Sequence, residues 1–379
     1  MSYISCLNGI TNFDESKKIL EGKNLIVKEY KNLYLVKYDK SNCDMNDQDI
    51  RRCRGIVMEK ETNKLVCVPP PKSDNVQVFN NVPLEKTTYE EFVEGTMISI
   101  FKHDGELFMS SRSCINAYCK FYSNKTFNAL FSEIIKLDNF DVIDDNMVLT
   151  FILQHPENTI VKKYNKPEIK LVYGCSINSD NIKNYNLDEL KTLLESKGLL
   201  FNIPEKYTIT DVSQVYDILN KMDHTQQGII LKNIEFNYLR GKIRNEYYSY
   251  VRNLKGNSHN KKYLYLELKQ QNSLDEYLKY FDEDSDIFEQ YRLELYETTT
   301  KLFNFYQDYH VRKTDEGKRV IQHFLDIDYE YRPLCNDLHN NYLSKKKPTD
   351  KKTVIDYINL LPIAKLLFVI NYKYRNTSE

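Results

Sequence analysis

Met97-Ile98-Ser99-Ile100-Phe101-Lys102-His103-Asp104-Gly105 is the stretch on which the reading of this chain turns. Its first five residues are apolar or β-favouring, and Asp104-Gly105 is a reversal signal. The run Glu106 to Ser111 then returns in the same character. The pattern predicts a hairpin from Met97 to Ser111 with His103-Asp104-Gly105-Glu106 as its turn. Lys102 is expected at the lip of that turn. A lysine there is held by the sheet, but it becomes a nucleophile only after losing its proton, through desolvation or neighbouring positive charge. Taken alone, Lys-x-Asp-Gly is a weak signal and reads first as a tight turn carrying a solvated lysine.

Working outward, cations recur at strand edges. Upstream lies Arg51-Arg52-Cys53-Arg54-Gly55-Ile56-Val57, a basic cluster entering a predicted strand. The return strand after Gly105 carries Ser110-Ser111-Arg112-Ser113. Further on, Thr225-Gln226-Gln227-Gly228-Ile229-Ile230-Leu231-Lys232 is followed by Gly241-Lys242-Ile243-Arg244. On a strand, Lys242 and Arg244 share one face about 7 Å apart, a spacing suited to clamping a polyphosphate.

This ordered set resembles the lysyl-nucleotidyltransferases, the superfamily of ATP-dependent ligases and capping enzymes, and within it the phage T4-type RNA ligase 1 family. It is also similar to ligase-like proteins of large DNA viruses. Lys102-His103-Asp104-Gly105 matches the nucleotide-attachment motif and Arg54-Gly55 the upstream Arg-Gly. Gln227 to Lys232 matches the fourth motif, and Lys242-Ile243-Arg244 the closing Lys-x-Lys. Phe151 to Val161 matches the third motif. The resemblance implies an α+β nucleotidyltransferase domain with ATP-grasp-like antiparallel sheets, followed by a small all-α domain. It implies ATP and Mg2+ (or Mn2+) as cofactors, with Lys102 attacking the α-phosphate to give lysyl-AMP. AMP then passes to an RNA 5′-phosphate, and an RNA 3′-hydroxyl attacks that phosphate and displaces AMP to seal the strand; tRNA is among the candidate substrates. Arg54, Gly55, Asp104, Gly105, Arg112, Lys232, Lys242 and Arg244 are the expected nucleotide- and phosphate-binding residues. No protein ligand is assigned to the metal. Two carboxylates of the family pattern are replaced, by Ile152 in the third motif and by Gln227 in the fourth; Gln154, with His155 beside it, is a polar substitute for the first.

The chain has 379 residues, 41% of them hydrophobic and 28% charged, enough for two domains with real cores. With 53 Lys+Arg against 54 Asp+Glu it is no globally basic nucleic-acid coat, though a local basic groove remains open. Such a groove is expected at Arg240 to Lys262, which interleaves basic residues with Tyr247, Tyr248 and Tyr250. Arg252, Lys255, Lys261 and Lys262 are its RNA-binding candidates. Eight cysteines without a C-x-x-C pair read as free thiols of a reducing compartment. No membrane span and no secretory signal are expected, so the location is cytoplasmic, the host cytoplasm if the protein is viral.

The texture changes after Lys255-Gly256-Asn257-Ser258, which places the domain boundary between 1–257 and 258–379. Beyond it, Ser273-Leu274-Asp275-Glu276 reads as a capping box, Asp286 to Tyr309 as a helix, and Pro362 as a break. Two further functions fit the sequence. One is a catalytically impaired ligase-fold protein that binds RNA or nucleotide, motivated by Gln227 and Ile152. The other is a capping-type guanylyltransferase, disfavoured because such enzymes continue into a β-barrel.

Overall fold

The computed structural model describes residues 3–79, 82–179, 181–233 and 239–374. The chain divides into two compact units, Met1–Arg252 and Asn253–Glu379. In the first, β1 (Leu25–Tyr30), β2 (Leu33–Tyr38), β3 (Arg54–Glu59) and β4 (Leu65–Cys67) form an antiparallel sheet in that order. The chain then lays down β5 (Asp74–Asn75) and β6 (Thr88–Glu91), which wait for later partners. Next come β7 (Thr96–His103), β8 (Glu106–Ser111), β9 (Cys114–Ile115), β10 (Met147–Gln154), β11 (Glu168–Asn178) and β12 (Asn181–Asn184). These make a six-stranded sheet ordered β12-β11-β10-β7-β8-β9. Finally β13 (Lys206–Tyr207), β14 (Gly228–Asn233) and β15 (Leu239–Arg244) complete a five-stranded sheet ordered β13-β6-β14-β15-β5.

Side-chain alternation explains how the layers stack. On β7 and β10, Ile98, Ile100, Leu149, Phe151 and Leu153 join a core with the helices Phe127–Ser132 and Leu187–Ser196. Phe101 and Val148, on the opposite face, join a core with Leu33, Leu35 and Val57 of the first sheet. Burial on both faces is why β10 reads Met147-Val-Leu-Thr-Phe-Ile-Leu, nearly without a polar break. The third sheet packs Tyr89, Ile229 and Leu231 against Val215 of the helix Ser213–Lys221.

Turn chemistry sets the hairpins. Asp104 and Gly105 both take positive φ, +50° and +74°, the conformation that a two-residue reversal requires. The helix Leu187–Ser196 starts where Asn186 accepts a hydrogen bond from Asp188 N.

In the second unit the described residues form helices, the longest being Ser285–His310. The chain bends by 117° at the break around Pro362, where Lys351–Asn359 gives way to Ile363–Asn371. Among the described residues no single helix is long and apolar enough to cross a membrane. One expectation fails in detail. A helix, Leu274–Leu278, does begin after Ser273, but the Ser273 hydroxyl donates to Gln271 O and caps nothing.

Candidate phosphate-binding cleft

The third sheet presents one face of alternating charge. Register pairs Lys232 with Arg240 and Ile230 with Lys242 and Glu90, so these side chains stand together. Arg244 follows two residues after Lys242 on the same face of β15. Opposite them stand Met97 of β7 and Ile152 of β10, which are register partners, and Arg54 from the start of β3. The cavity between them measures about 160 Å³ and is lined by four cations, Arg54, Lys232, Arg240 and Arg244, against Glu90 and Glu91.

The two carboxylates are already engaged. Glu90 holds Lys232 Nζ at 2.6 Å, and Glu91 holds Lys170 Nζ at 2.8 Å. Three guanidinium groups therefore remain in excess. Arg54 donates to Pro70 O at 3.2 Å. Arg240 Nε is a buried donor without an acceptor among the described residues. Arg244 lies over the Phe92 ring, 5.1 Å from its centroid. Burial first, then the charge of Arg240, pulls Arg54 down to about 10, still cationic at neutral pH. Burial and then Arg244 bring Lys242 down to about 8. Burial likewise takes Lys232 to about 8, against the opposing pull of Glu90. Like charges thus crowd around a buried donor that no described residue satisfies, an arrangement that would favour an anion.

Two glycines fix the cleft. At Gly55 (φ +92°) a Cβ would sit 2.8 Å from Arg112 Cα, so glycine lets β3 approach the end of β8. Arg112 itself stacks on Tyr38 at 4.8 Å, outside the cleft lining. At Gly95 (φ +146°) a Cβ would meet Leu153 O at 2.4 Å and Ile152 Cγ2 at 2.6 Å.

Most of the expected set converges here: Arg54, Lys232, Arg244 and Gln227 line the cavity, Lys242 stands between Arg240 and Arg244, and Gly55 shapes its edge. Lys102 does not converge. It alternates with Ile98 and Ile100 and so lies on the helix-side face of β7, while Met97 faces the cleft. The two positions are also separated by about 17 Å along the strand. Lys102 Nζ donates to Asp141 O at 2.6 Å and pairs with the Asp141 carboxylate at 3.1 Å and that of Asp145 at 3.9 Å. Asp104 and Gly105 go with it to the far end of the hairpin.

The residue at the cleft instead belongs to Phe92-Val93-Glu94-Gly95, a second tetrad that ends in an acid and a glycine and leads into β7. Its first position is an aromatic ring rather than an amine. That acid-glycine pair ahead of Thr96-Met97-Ile98 was the sequence signal missed, along with Glu90 and Glu91. Glu94 is buried and accepts from Val161 N and Lys162 N, bracing the loop beyond β10. Gln154 donates to Glu94 O at 3.0 Å and to Tyr164 Oη at 3.1 Å, so it too is structural. An adjoining polar cavity of about 430 Å³ shares Glu91, Phe92 and Gln227 with the cleft.

The expected RNA strip is largely spent on internal pairing. In the first unit Tyr248 is core, while Tyr247 and Tyr250 are exposed. Arg252 hydrogen-bonds the Tyr122 hydroxyl. In the second unit Lys255 is buried over the Phe281 ring, Lys261 pairs with Asp284 at 2.5 Å, and Lys262 with Glu294 at 2.6 Å. Nor do the residues present fit a protein-held Mg2+ or Mn2+. Ile152 and Gln227 supply no carboxylate, and Glu90 and Glu91 are each held by a lysine.

No protein-family model and no curated protein matches the chain. Among solved structures, form 1 of an archaeal ATP-dependent RNA ligase is 16% identical with a TM-score of 0.47, covering 91% of this chain and 85% of that one. Its form 2 is 15% identical at 0.47, covering 88% and 95%. A Naegleria gruberi RNA ligase variant with ATP and Mn is 11% identical at 0.39, over 49% of this chain and 58% of that chain. At these scores the likeness is one of outline alone.

Proposed function

We propose that the cleft of the first unit binds the phosphate of a nucleotide non-covalently, ATP being the nucleotide that the sequence resemblance implies. The observation that carries this is the buried Arg240 Nε, without a hydrogen-bond acceptor among the described residues, beside Arg54 and Arg244. A cavity of about 160 Å³ suits a phosphate group rather than a whole nucleotide. The adjoining polar cavity, with the Phe92 ring in its wall, has room for the nucleoside. A terminal phosphate on RNA presents the same chemistry and is the second ligand to test. Strand joining through lysyl-AMP requires an amine at the phosphates. In the cavity of about 160 Å³ the lysine among the described lining residues is Lys232, which Glu90 and Val172 O hold; the neighbouring Lys242 is on β15, not at the β7 end where the sequence resemblance would set the attacking amine. The reading is therefore a binding protein on a nucleotidyltransferase-type scaffold.

Incubation with α-labelled ATP and Mg2+ or Mn2+ should leave the protein unlabelled after denaturation. Equilibrium dialysis of the native protein should show saturable ATP binding. Arg240→Ala should weaken that binding more than tenfold, as expected for a charge-assisted contact of about 1.5–3 kcal/mol. A covalent label that survives denaturation, whether lost in Lys102→Ala, Lys232→Ala or Lys242→Ala, would refute the reading, as would ATP binding indifferent to Arg240.

A further inference from the structure

The motif that the cleft leaves unused has a chemistry of its own. His103 ends β7, Asp104 opens the turn, and Glu59 ends β3, so the first sheet and the hairpin tip meet there. We propose that Glu59, His103 and Asp104 form a site for a divalent transition-metal ion, with Zn2+ the ion its donors fit best.

The spacing is that of a coordination sphere. His103 Nε2 lies 3.3 Å from Asp104 Oδ2 and 3.7 Å from Glu59 Oε1, and all three donor atoms fall within 4.8 Å of one another. Tetrahedral zinc, with bonds of about 2.0–2.1 Å, places its ligand atoms about 3.4 Å apart. His103 Nε2 is buried yet makes no hydrogen bond, although two carboxylates stand beside it. Its lone pair is then available to a metal when the ring carries its proton on Nδ1.

Each ligand is held. The other oxygen of Glu59 accepts from the Thr62 hydroxyl, which fixes the carboxylate as an outer-shell partner does. Asp104 is locked at φ +50° by the reversal. His103 and Glu59 are 17% and 16% exposed, whereas Asp104 is 80% exposed, which leaves one side open to a water ligand. Among the described residues no lysine or arginine pairs with Glu59 or Asp104, and His103 is the basic group beside them. The other cluster of this kind, Glu133-His155-Glu157, differs: Lys125 already bridges both carboxylates, at 2.8 and 2.6 Å. An imidazole in the set favours Zn2+ or Co2+ over Mg2+. Bound metal would pin the hairpin tip to the first sheet.

The full-length protein, stripped with chelator, would be titrated with Zn2+ by calorimetry and with Co2+ by visible absorption. One ion per chain is expected. Asp104→Asn, which tolerates positive φ, and Glu59→Gln should each weaken binding at least tenfold. His103→Ala should abolish the Co2+ spectrum, and His259→Ala, at an exposed position, should change nothing. Circular dichroism on each variant separates lost ligands from lost folding. No saturable Zn2+ or Co2+ binding, binding unaltered in the ligand variants, or retention of Mg2+ but not Zn2+ would overturn the proposal. None of these results depends on whether the cleft binds ATP.

Discussion

At the scale of single residues, the cleft is defined by what its cations lack. Lys242 shows the consequence most directly. It is half-buried among Arg244, Lys72 and Arg54, and burial first, then their repulsion, brings it down to about 8, against an ordinary lysine value near 10.4. Two effects with opposite signs follow. An unliganded Lys242 loses its charge as pH rises through about 8, so ATP affinity should fall between pH 7 and pH 9 even though the γ-phosphate completes its last ionisation over the lower part of that range and makes the nucleotide more anionic. Stability should move the other way. A depressed lysine binds fewer protons folded than unfolded between about 8 and 10.4, so folding becomes more favourable across that window. Binding isotherms and denaturant melts at pH 7 and pH 9 measure both. In Lys242→Met the pH dependence of each should shrink. Equal affinity at the two pH values would place Lys242 outside the phosphate's reach.

At the scale of elements, Gly95 is where the cleft is most vulnerable. It lies between the tetrad Phe92-Val93-Glu94-Gly95 and β7, at φ +146°, with the Leu153 carbonyl 2.4 Å from where a Cβ would be. Gly95→Ala combines backbone strain with a clash against main chain, which cannot rotate away. It should destabilise the fold by about 2 kcal/mol or more, read as a shift in denaturation midpoint without a change in slope. Gly105→Ala meets no neighbouring atom and should cost less. The same region shows how far the sequence could be read. The hairpins β1–β2, β3–β4 and β7–β8 were legible because alternation and Asn or Gly at reversals are local signals. So was Leu187–Ser196, with its Asn cap and its leucines on one face. The cationic partners of the cleft were legible because Arg54, Lys232, Lys242 and Arg244 sit on well-marked strands. The side of the sheet that Lys102 occupies was not. β7 and β10 are buried on both faces, so alternation has no polar face to give it a sign, and only the packed sheets decide which set of residues meets the cleft. Lys102-His103-Asp104-Gly105 therefore outcompeted Phe92-Val93-Glu94-Gly95 on letters while losing to it on placement. Ser273 failed for a backbone reason: at φ −109° and ψ 7° it is not in the extended conformation that aims a capping oxygen at the first-turn N–H groups.

At the scale of the whole molecule, two units mean two separable stabilities, and protease accessibility can tell them apart. Among the described residues several exposed segments are open to cleavage, residues 342–348 of the second unit included, and two of them tell the units apart. One is the stretch between the helices Glu246–Lys255 and Lys261–Gln270, where Asn257, His259 and Asn260 are exposed. The other follows the long helix Ser285–His310, where residues 311–320 are exposed without interruption. Cleavage needs local backbone freedom as well as exposure, and neither segment belongs to a sheet or a helix core. Side-chain chemistry then separates them. The second segment carries four sites for trypsin, Arg312, Lys313, Lys318 and Arg319; Arg312 pairs with Asp308 and Lys318 with Glu316, but Lys313 is in no ion pair among the described residues. The first is flanked by Lys255, which is buried, and by Lys261, which Asp284 holds in an ion pair. Trypsin under native conditions should therefore cut first inside the second unit, between Arg312 and Arg319 or at Lys345 and Lys346, rather than at Lys261. A protease without a basic requirement should also cut between Gly256 and Asn260. Mass spectrometry of the early fragments decides between these outcomes. If the first unit is autonomous, the fragment ending near residue 256 should keep its ATP binding after the second unit is digested. Early tryptic cleavage within β7–β8, or loss of ATP binding as soon as the chain is nicked at Arg312, would show that the cleft depends on more than the unit that forms its walls.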